Sequence, residues 1–242
     1  MSPTIRLKTT MYRAAVVDLI KNQTRRVVVP QPGSDINPVM FDERSGVNYC
    51  FQWHSKESRR EPTYGPPGTI LPVVTTWAVH RTLDAFKPSE ITEVPDQGLL
   101  SGIWWDDGTP KPEWAGKSRP AMFFPKHLYP LARQAKVVSV KAERVKSISR
   151  EDAIAEGVNW RECPTFQTPA QIERMIAGGG HSTTIDYIGG YARLWDSINQ
   201  DRGKGALKGQ YAWTRNPWVF ATTFEVLPPS HKATEDTSLP TE

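Results

Sequence analysis

The sequence predicts one α+β domain that is interrupted by long loops. Segments with strand or helix periodicity are few and short, and polar stretches rich in turn-forming residues separate them. Of the 242 residues, 38% are hydrophobic, which is enough for a core and excludes a fully disordered chain. We expect a single domain over residues 1–227, with insertions at about 30–66, 82–120 and 160–184, and a disordered tail over 228–242.

The first half of the chain predicts one helix and two main strands. Residues 11–20 carry apolar side chains at helical spacing, which predicts an amphipathic helix. Three valines at 27–29 predict a strand that the following proline stops. A short hairpin is expected around residues 49–53. After the turn at 65–68, which reads Gly-Pro-Pro-Gly, the apolar segment 70–79 predicts one buried strand.

The second half predicts two more strands and two helices. Residues 136–145 alternate between apolar and polar side chains, as in a half-buried strand. Ser149 begins a sequence similar to a capping box, so a helix should start there and stop at Gly157. Residues 185–199 predict a second amphipathic helix, and residues 218–226 predict the final strand.

Charge and cysteine content limit the kind of partner and compartment. Lys and Arg number 30 and Asp and Glu 26, and this formal charge of +4 permits a nucleotide-like partner without demanding one. Cys50 and Cys163 cannot build a disulfide framework, so we expect a soluble protein of the cytoplasm. No apolar run reaches the roughly 18 residues of a membrane span. Neither metal-ligand spacing nor a phosphate-binding glycine motif occurs, so we expect no metal and no cofactor.

Residues 21–26 read Lys-Asn-Gln-Thr-Arg-Arg and follow the first predicted helix. A basic helix end of this kind is usually solvated. The functional interpretation places Lys21 beside the hydroxyl of Thr24, a weak nucleophile that needs a neighbouring base. Lys21 can be that base only if burial lowers its pKa, so such a site must be enclosed. Glu156, at a predicted helix end, has the same two interpretations, solvated or functional.

Taken together, these segments resemble the ASCH superfamily, most strongly its larger members from bacteriophage genomes. The matching blocks are Lys21 with Thr24-Arg25-Arg26, then Gly68-Thr69-Ile70-Leu71, Thr75-Thr76-Trp77, Ala155-Glu156-Gly157, Leu194-Trp195-Asp196 and Asn216-Pro217-Trp218-Val219. They cover about half of the chain. One position departs from the pattern, since Thr75 stands where the phage members have Glu. The resemblance implies a PUA-like fold, which is a small β-barrel with flanking helices, here with long loop insertions.

The same resemblance implies an activity. The superfamily includes bacterial amidohydrolases that remove the acyl group from N4-acetylated cytidine with a Lys, a Thr and a Glu. Carried over to this sequence, Thr24 is the nucleophile, Lys21 its activator, and Glu156 the acid or base that serves the leaving amine. The expected substrate-binding residues are Arg25, Arg26 and Trp77. The expected partner is a nucleoside or nucleic acid substrate in the cytoplasm, which for a phage protein is that of the host.

A second hypothesis is a non-catalytic PUA-like module that binds RNA or modified DNA. Arg25, Arg26 and Arg119 would then meet phosphate, and Trp77 or Trp105 would stack on a base. Packing in the core is at least as common a role for a tryptophan. The two hypotheses differ in whether the three catalytic candidates converge on one pocket.

Overall fold

The computed structural model describes residues 3–32, 40–42, 47–49, 61–92, 94, 102–159, 161, 163, 169–178, 185–203, 205 and 208–228. Within them the protein is α+β, which confirms the predicted class. The strands are β1 (Ile5–Arg6), β2 (Gln23–Val27), β3 (Met40–Asp42), β4 (Val47–Tyr49), β5 (Ile70–Val74), β6 (Trp77–Val79), β7 (Ile103–Trp105), β8 (Arg133–Arg144) and β9 (Trp218–Val226). The helices are α1 (Thr9–Val16), α2 (Arg150–Ala155), α3 (Pro169–Ala177) and α4 (Tyr187–Asn199).

The long strand β8 organises a mixed sheet of seven strands. β5 and β4 pair with one edge of β8, and β9 runs antiparallel along the other edge. β2 then pairs antiparallel with β9, which places Thr24 opposite Thr222 and Arg25 opposite Ala221. β1 extends the sheet beside β5, and β3 extends it beside β4. β6 and β7 form a separate two-stranded sheet.

The seven-stranded sheet buries side chains on both faces. Because side chains alternate along a strand, neighbouring residues of β2 and β9 point to opposite faces. The face covered by α1, here called the α1 face, has a core that includes Tyr12, Ala15, Val28, Phe220 and Phe224. The opposite face, here called the α2–α4 face, has a core that includes Val27, Ala153, Tyr191, Trp195 and Val219. A third core lies at β6 and β7 and includes Trp77, Ile103 and Phe124.

Three predictions for the first half needed correction. The helix expected over 11–20 is α1, which starts two residues earlier and ends at Val16. The strand expected at 27–29 is β2, which begins at Gln23, because the polar side chains of β2 find buried partners that a propensity argument does not see. The strand expected over 70–79 is divided into β5 and β6, which pair with different sheets.

The second half follows the sequence more closely. β9 has the predicted bounds, and β8 covers the predicted strand except its last residue, Val145, with three added residues at its start. α2 runs to Ala155, and Gly157, two residues beyond it, has φ +86°, as expected of a residue that stops a helix. The Ser149 hydroxyl accepts a hydrogen bond from the Asp152 amide, as a capping residue should. α3 and β7 lie inside segments that were expected to be irregular. Residues 50–53 of the expected hairpin and 229–242 of the expected tail lie outside the described residues.

None of the helices in the described part of the chain combines the length and the hydropathy that crossing a membrane requires.

Gly157 should be needed for stability on two separate grounds. Its φ of +86° strains any residue with a Cβ, and that Cβ would lie 3.1 Å from Met11 Sδ and 3.2 Å from Lys21 Cδ. Gly68 has φ +91° but open space around it, so Gly68→Ala isolates the backbone cost of about 1 kcal/mol. We expect Gly157→Ala to lower the free energy of unfolding by about 1 kcal/mol more than Gly68→Ala does. Equal losses in urea unfolding would contradict the close packing at Gly157.

Candidate functional site

Lys21 and Glu156 meet where α2 ends and β2 begins, although 135 residues separate them in the chain. The Asn22 amide donates to the Ala155 carbonyl at 3.0 Å, which fastens the approach to β2 onto the end of α2. The Lys21 amine then lies 3.2 Å from Glu156 Oε2. The two residues are only 4% and 5% exposed. Two of the three predicted catalytic residues are therefore brought together in an enclosed place.

The hydrogen bonds of Lys21 use all three donors of an ammonium group. Besides Glu156 Oε2, the amine donates to the carbonyl oxygens of Gln23 and Glu156, each at 2.6 Å. Burial is the largest influence on the pKa of Lys21 and lowers it. The Glu156 carboxylate opposes this, while Arg26 and Arg25 lower the pKa further, and the net direction is down. Lys21 is thus a cation whose proton is easier to remove than that of an ordinary lysine.

Arg25 lies next to this pair on the α2–α4 face, with a fully buried side chain. Nε and Nη2 donate to Glu143 Oε1 at 2.9 and 2.7 Å, and Nη2 also donates to Asp152 Oδ2 at 2.8 Å. Nη1 donates to Gln23 Oε1 at 2.5 Å and to Glu156 Oε1 at 3.2 Å. These five bonds account for the five N–H donors of a guanidinium. Arg25 therefore has no donor left for a substrate or a phosphate in this conformation.

These ionic contacts join β2, β8 and α2 into one group, here called the ion cluster. Lys141 of β8 completes it, because its amine lies 3.0 Å from Glu143 Oε2. The cluster contains three cations, Lys21, Arg25 and Lys141, and three carboxylates, Glu143, Asp152 and Glu156. Its formal charges balance, which offsets the large cost of burying its four enclosed members, Lys21, Arg25, Glu143 and Glu156.

Thr24 lies on the opposite face of β2 from Arg25, because the two residues are adjacent in a strand. It is 3% exposed, and its partner across the sheet, Thr222, is 1% exposed. Arg26 shares this α1 face, where its Nε donates to the Tyr64 hydroxyl at 2.8 Å. The Lys21 amine donates its three hydrogen bonds to Gln23 and Glu156, and it makes no hydrogen bond with the Thr24 hydroxyl.

Trp77 lies in the third core rather than with the catalytic candidates. It is fully buried and packs edge to face against Phe124, with ring centroids 5.1 Å apart. The guanidinium of Arg119 lies 5.3 Å from the Trp77 ring and donates through Nη2 to two backbone carbonyls. Trp77 and Arg119 therefore pack against each other, and neither presents a surface to a substrate in this conformation. Trp105 is partly buried and stacks on Tyr12 at 6.2 Å.

Sequence reasoning missed four members of the site: Gln23, Lys141, Glu143 and Asp152. The spacing of Asp152 and Glu156 was a usable signal, since residues four apart lie on one face of a helix. The alternation in β8 placed Glu143 among polar positions, which usually face solvent, yet α2 and α4 cover it. Nothing in the sequence pattern pointed to the Gln23 side chain. It links Arg25 to Asp152, because its Oε1 accepts from Arg25 and its Nε2 donates to Asp152 Oδ1 at 3.1 Å.

Comparison with known proteins gave no match to any family model, any curated protein or any solved structure. Within the described ranges, no group of three or more His, Cys, Asp or Glu side chains is arranged to hold a metal ion. The three clustered carboxylates are held by Arg25, Lys21 and Lys141 instead.

Lys21 should make protein stability depend on pH in a defined direction. Its pKa is lower in the folded protein than the usual 10.5, so below that value the unfolded chain binds more protons at this residue. The stability that Lys21 contributes should therefore rise with pH across the window that ends near 10.5. We expect the unfolding free energy of the wild type, minus that of Lys21→Met, to grow between about pH 7 and 10 in urea titrations.

Two buried tyrosines act in the opposite direction but do not disturb that comparison. Burial raises the pKa of Tyr12 and of Tyr191, so both oppose stability at high pH. Both are present in the wild type and in Lys21→Met, and their contributions cancel in the difference. A difference that is flat or that falls with pH would show that the folded protein holds the Lys21 proton more tightly than the unfolded chain does.

Proposed function

We propose that this chain is an ASCH-type amidohydrolase with a PUA-like fold, which removes an acyl group from an N-acylated cytosine nucleoside or nucleobase. The observation that carries the proposal is the buried contact between the Lys21 amine and the Glu156 carboxylate at 3.2 Å. The residue types and their order match the catalytic group that the resemblance implies, with Thr24 three residues after Lys21.

In the proposed reaction the Thr24 hydroxyl attacks the acyl carbonyl carbon, and its proton passes to the neutral form of Lys21. The C–N bond of the tetrahedral intermediate then breaks. Glu156, which contacts the Lys21 amine, relays the proton to the leaving cytosine nitrogen. Water hydrolyses the resulting Thr24 ester and releases the free acid. The lowered pKa of Lys21 favours the neutral amine that the first step needs.

Lys21 has to turn toward the α1 face for this chemistry, and its position supports such a movement. The Lys21 stem and Met11 Sδ both lie next to Gly157. A Cβ placed on Gly157 would be 3.2 Å from Lys21 Cδ and 3.1 Å from Met11 Sδ. Met11 packs against the core of the α1 face, on which Thr24 lies. Lys21 therefore lies at the edge of β2 where the two faces meet, and a change in its side-chain torsions is what the proposal requires.

The binding-module hypothesis is less well supported by the same contacts. It assigned phosphate binding to Arg25 and Arg119, and base stacking to Trp77. Arg25 has its five donors engaged inside the protein, and the other two residues are buried against each other. Among its candidates, Arg26 and Trp105 keep some exposed surface. These placements count against the binding module in the form that the sequence suggested.

The chain supplies a matched control for the proposed nucleophile, because Thr222 faces Thr24 across the sheet with similar burial. We expect Thr24→Ala to lower the release of cytidine from N4-acetylcytidine by on the order of 10³-fold or more, and Thr222→Ala to retain most of it. Thr24→Ser should keep part of the activity, because the hydroxyl survives. Lys21→Arg should be inactive, because a guanidinium does not give up its proton near neutral pH.

The assay should also include N4-acyl analogues with longer chains, since the acyl group is not defined. Equal losses in Thr24→Ala and Thr222→Ala would argue against a nucleophilic Thr24. Failure of the wild type to turn over any analogue, together with tight binding of RNA or DNA, would replace the hydrolase with the binding module.

A further inference from the structure

The two oxygens of the Glu156 carboxylate are held by two different cations. Oε1 accepts from Arg25 Nη1 and Oε2 accepts from the Lys21 amine, each at 3.2 Å. The carboxylate therefore cannot rotate about its own axis without breaking both bonds. Arg25 is itself fixed, because two of its nitrogens donate to Glu143 Oε1.

We propose that Arg25, held in place by Glu143, is a positioning residue that presents one oxygen of Glu156 to the Lys21 amine. Arg25 has no free donor and does not touch the α1 face, so it acts through Glu156 rather than on the substrate. The effect on turnover rests on the proposed function, whereas the effect on the Lys21–Glu156 pair does not.

The charges around the pair decide how a change at Arg25 is felt by Lys21. From β2, Arg25 and Arg26 repel the Lys21 ammonium, and from α2 Glu156 attracts it. Asp152 of α2 and Glu143 of β8 bind Arg25, and Lys141 binds Glu143. From α4, Tyr191 faces the same group, and burial keeps its hydroxyl protonated by raising its pKa. Arg25 thus weakens the hold of Glu156 on the Lys21 proton, and Glu143 offsets the positive charge of Arg25.

Two substitutions should therefore move the titration of Lys21 in opposite directions. Arg25→Gln removes a repelling cation and frees both oxygens of Glu156 for Lys21, so the pKa of Lys21 should rise. Glu143→Gln removes one of the three carboxylates that compensate the charge of Arg25, so the pKa of Lys21 should fall. A role confined to stability would weaken the fold in both variants without this opposition in sign.

The experiment is an NMR titration of the Lys21 side chain in the full chain, without substrate, with the signal assigned by its loss in Lys21→Met. Arg144→Gln is the matched control, because it removes an exposed cation that follows Glu143 in β8 but lies on the opposite face of the sheet, and it should leave the titration unchanged. Shifts of opposite sign in Arg25→Gln and Glu143→Gln support the proposal. No shift, or shifts of the same sign, overturn it. If Arg25→Gln does not fold, the pKa of Lys21 in Glu143→Gln decides alone: a lower pKa supports the proposal, and an unchanged or higher pKa overturns it.

Turnover provides the second readout and separates this proposal from the proposed function. Arg25→Lys keeps the charge but loses the planar fork that binds Glu143 and Glu156 together. We expect it to lower kcat on N4-acetylcytidine by about 100-fold with little change in KM, as expected for a misplaced catalytic group. If the two variants show titration shifts of opposite sign but the wild type shows no turnover, the hydrolase is refuted and the positioning role stands. If the wild type turns over the substrate but the two variants show no titration shifts, the positioning role is refuted and the hydrolase stands.

Discussion

The buried contact between Arg25 and three carboxylates is the constraint on which the rest of the site depends. A guanidinium without water around it is tolerated only when its charge and its donors are matched, and here Glu143, Asp152 and Glu156 match them. Because these carboxylates come from β8 and α2, satisfying Arg25 fixes α2 against the sheet. The end of α2 in turn supplies the carbonyl and the carboxylate that hold Lys21.

Strand β2 places its polar side chains on two opposite faces of the sheet. Alternation along β2 sends Arg25 into the ion cluster and sends Thr24 and Arg26 to the α1 face. The Thr24 hydroxyl and the ion cluster are thereby kept on opposite faces of the sheet, so the cluster does not bind that hydroxyl. Lys21, which precedes the strand, is the residue placed to connect the two faces, because it lies at the edge of the sheet between the faces.

The parts of the fold that the sequence predicted correctly are those whose cause is local. Alternation in residues 218–226, the Ser149 cap and the glycine at 157 each act within a few residues, and each appears as expected. The start of β2 was misplaced because Arg25 lies in a polar run that does not look like a buried strand, and it is stabilised there by distant carboxylates. The contact of Lys21 with Glu156 was anticipated through the family resemblance. The guanidinium that orients Glu156 was not, because a basic residue in a polar run is ordinarily solvated.

The balance of influences on Lys21 explains why a buried lysine beside a carboxylate need not be locked in its charged form. Two of its three acceptors are backbone carbonyls held in place by β2 and by the end of α2, so they cannot follow the amine if it turns. The third acceptor, Glu156, is shared with Arg25, and a carboxylate that already neutralises one cation attracts a second less strongly. Burial then outweighs the attraction that remains, and the pKa of Lys21 moves down instead of up. A Lys–Glu pair without such a guanidinium would hold its proton more firmly, so the lowered pKa of Lys21 depends in part on Arg25, a neighbour that it does not bind directly.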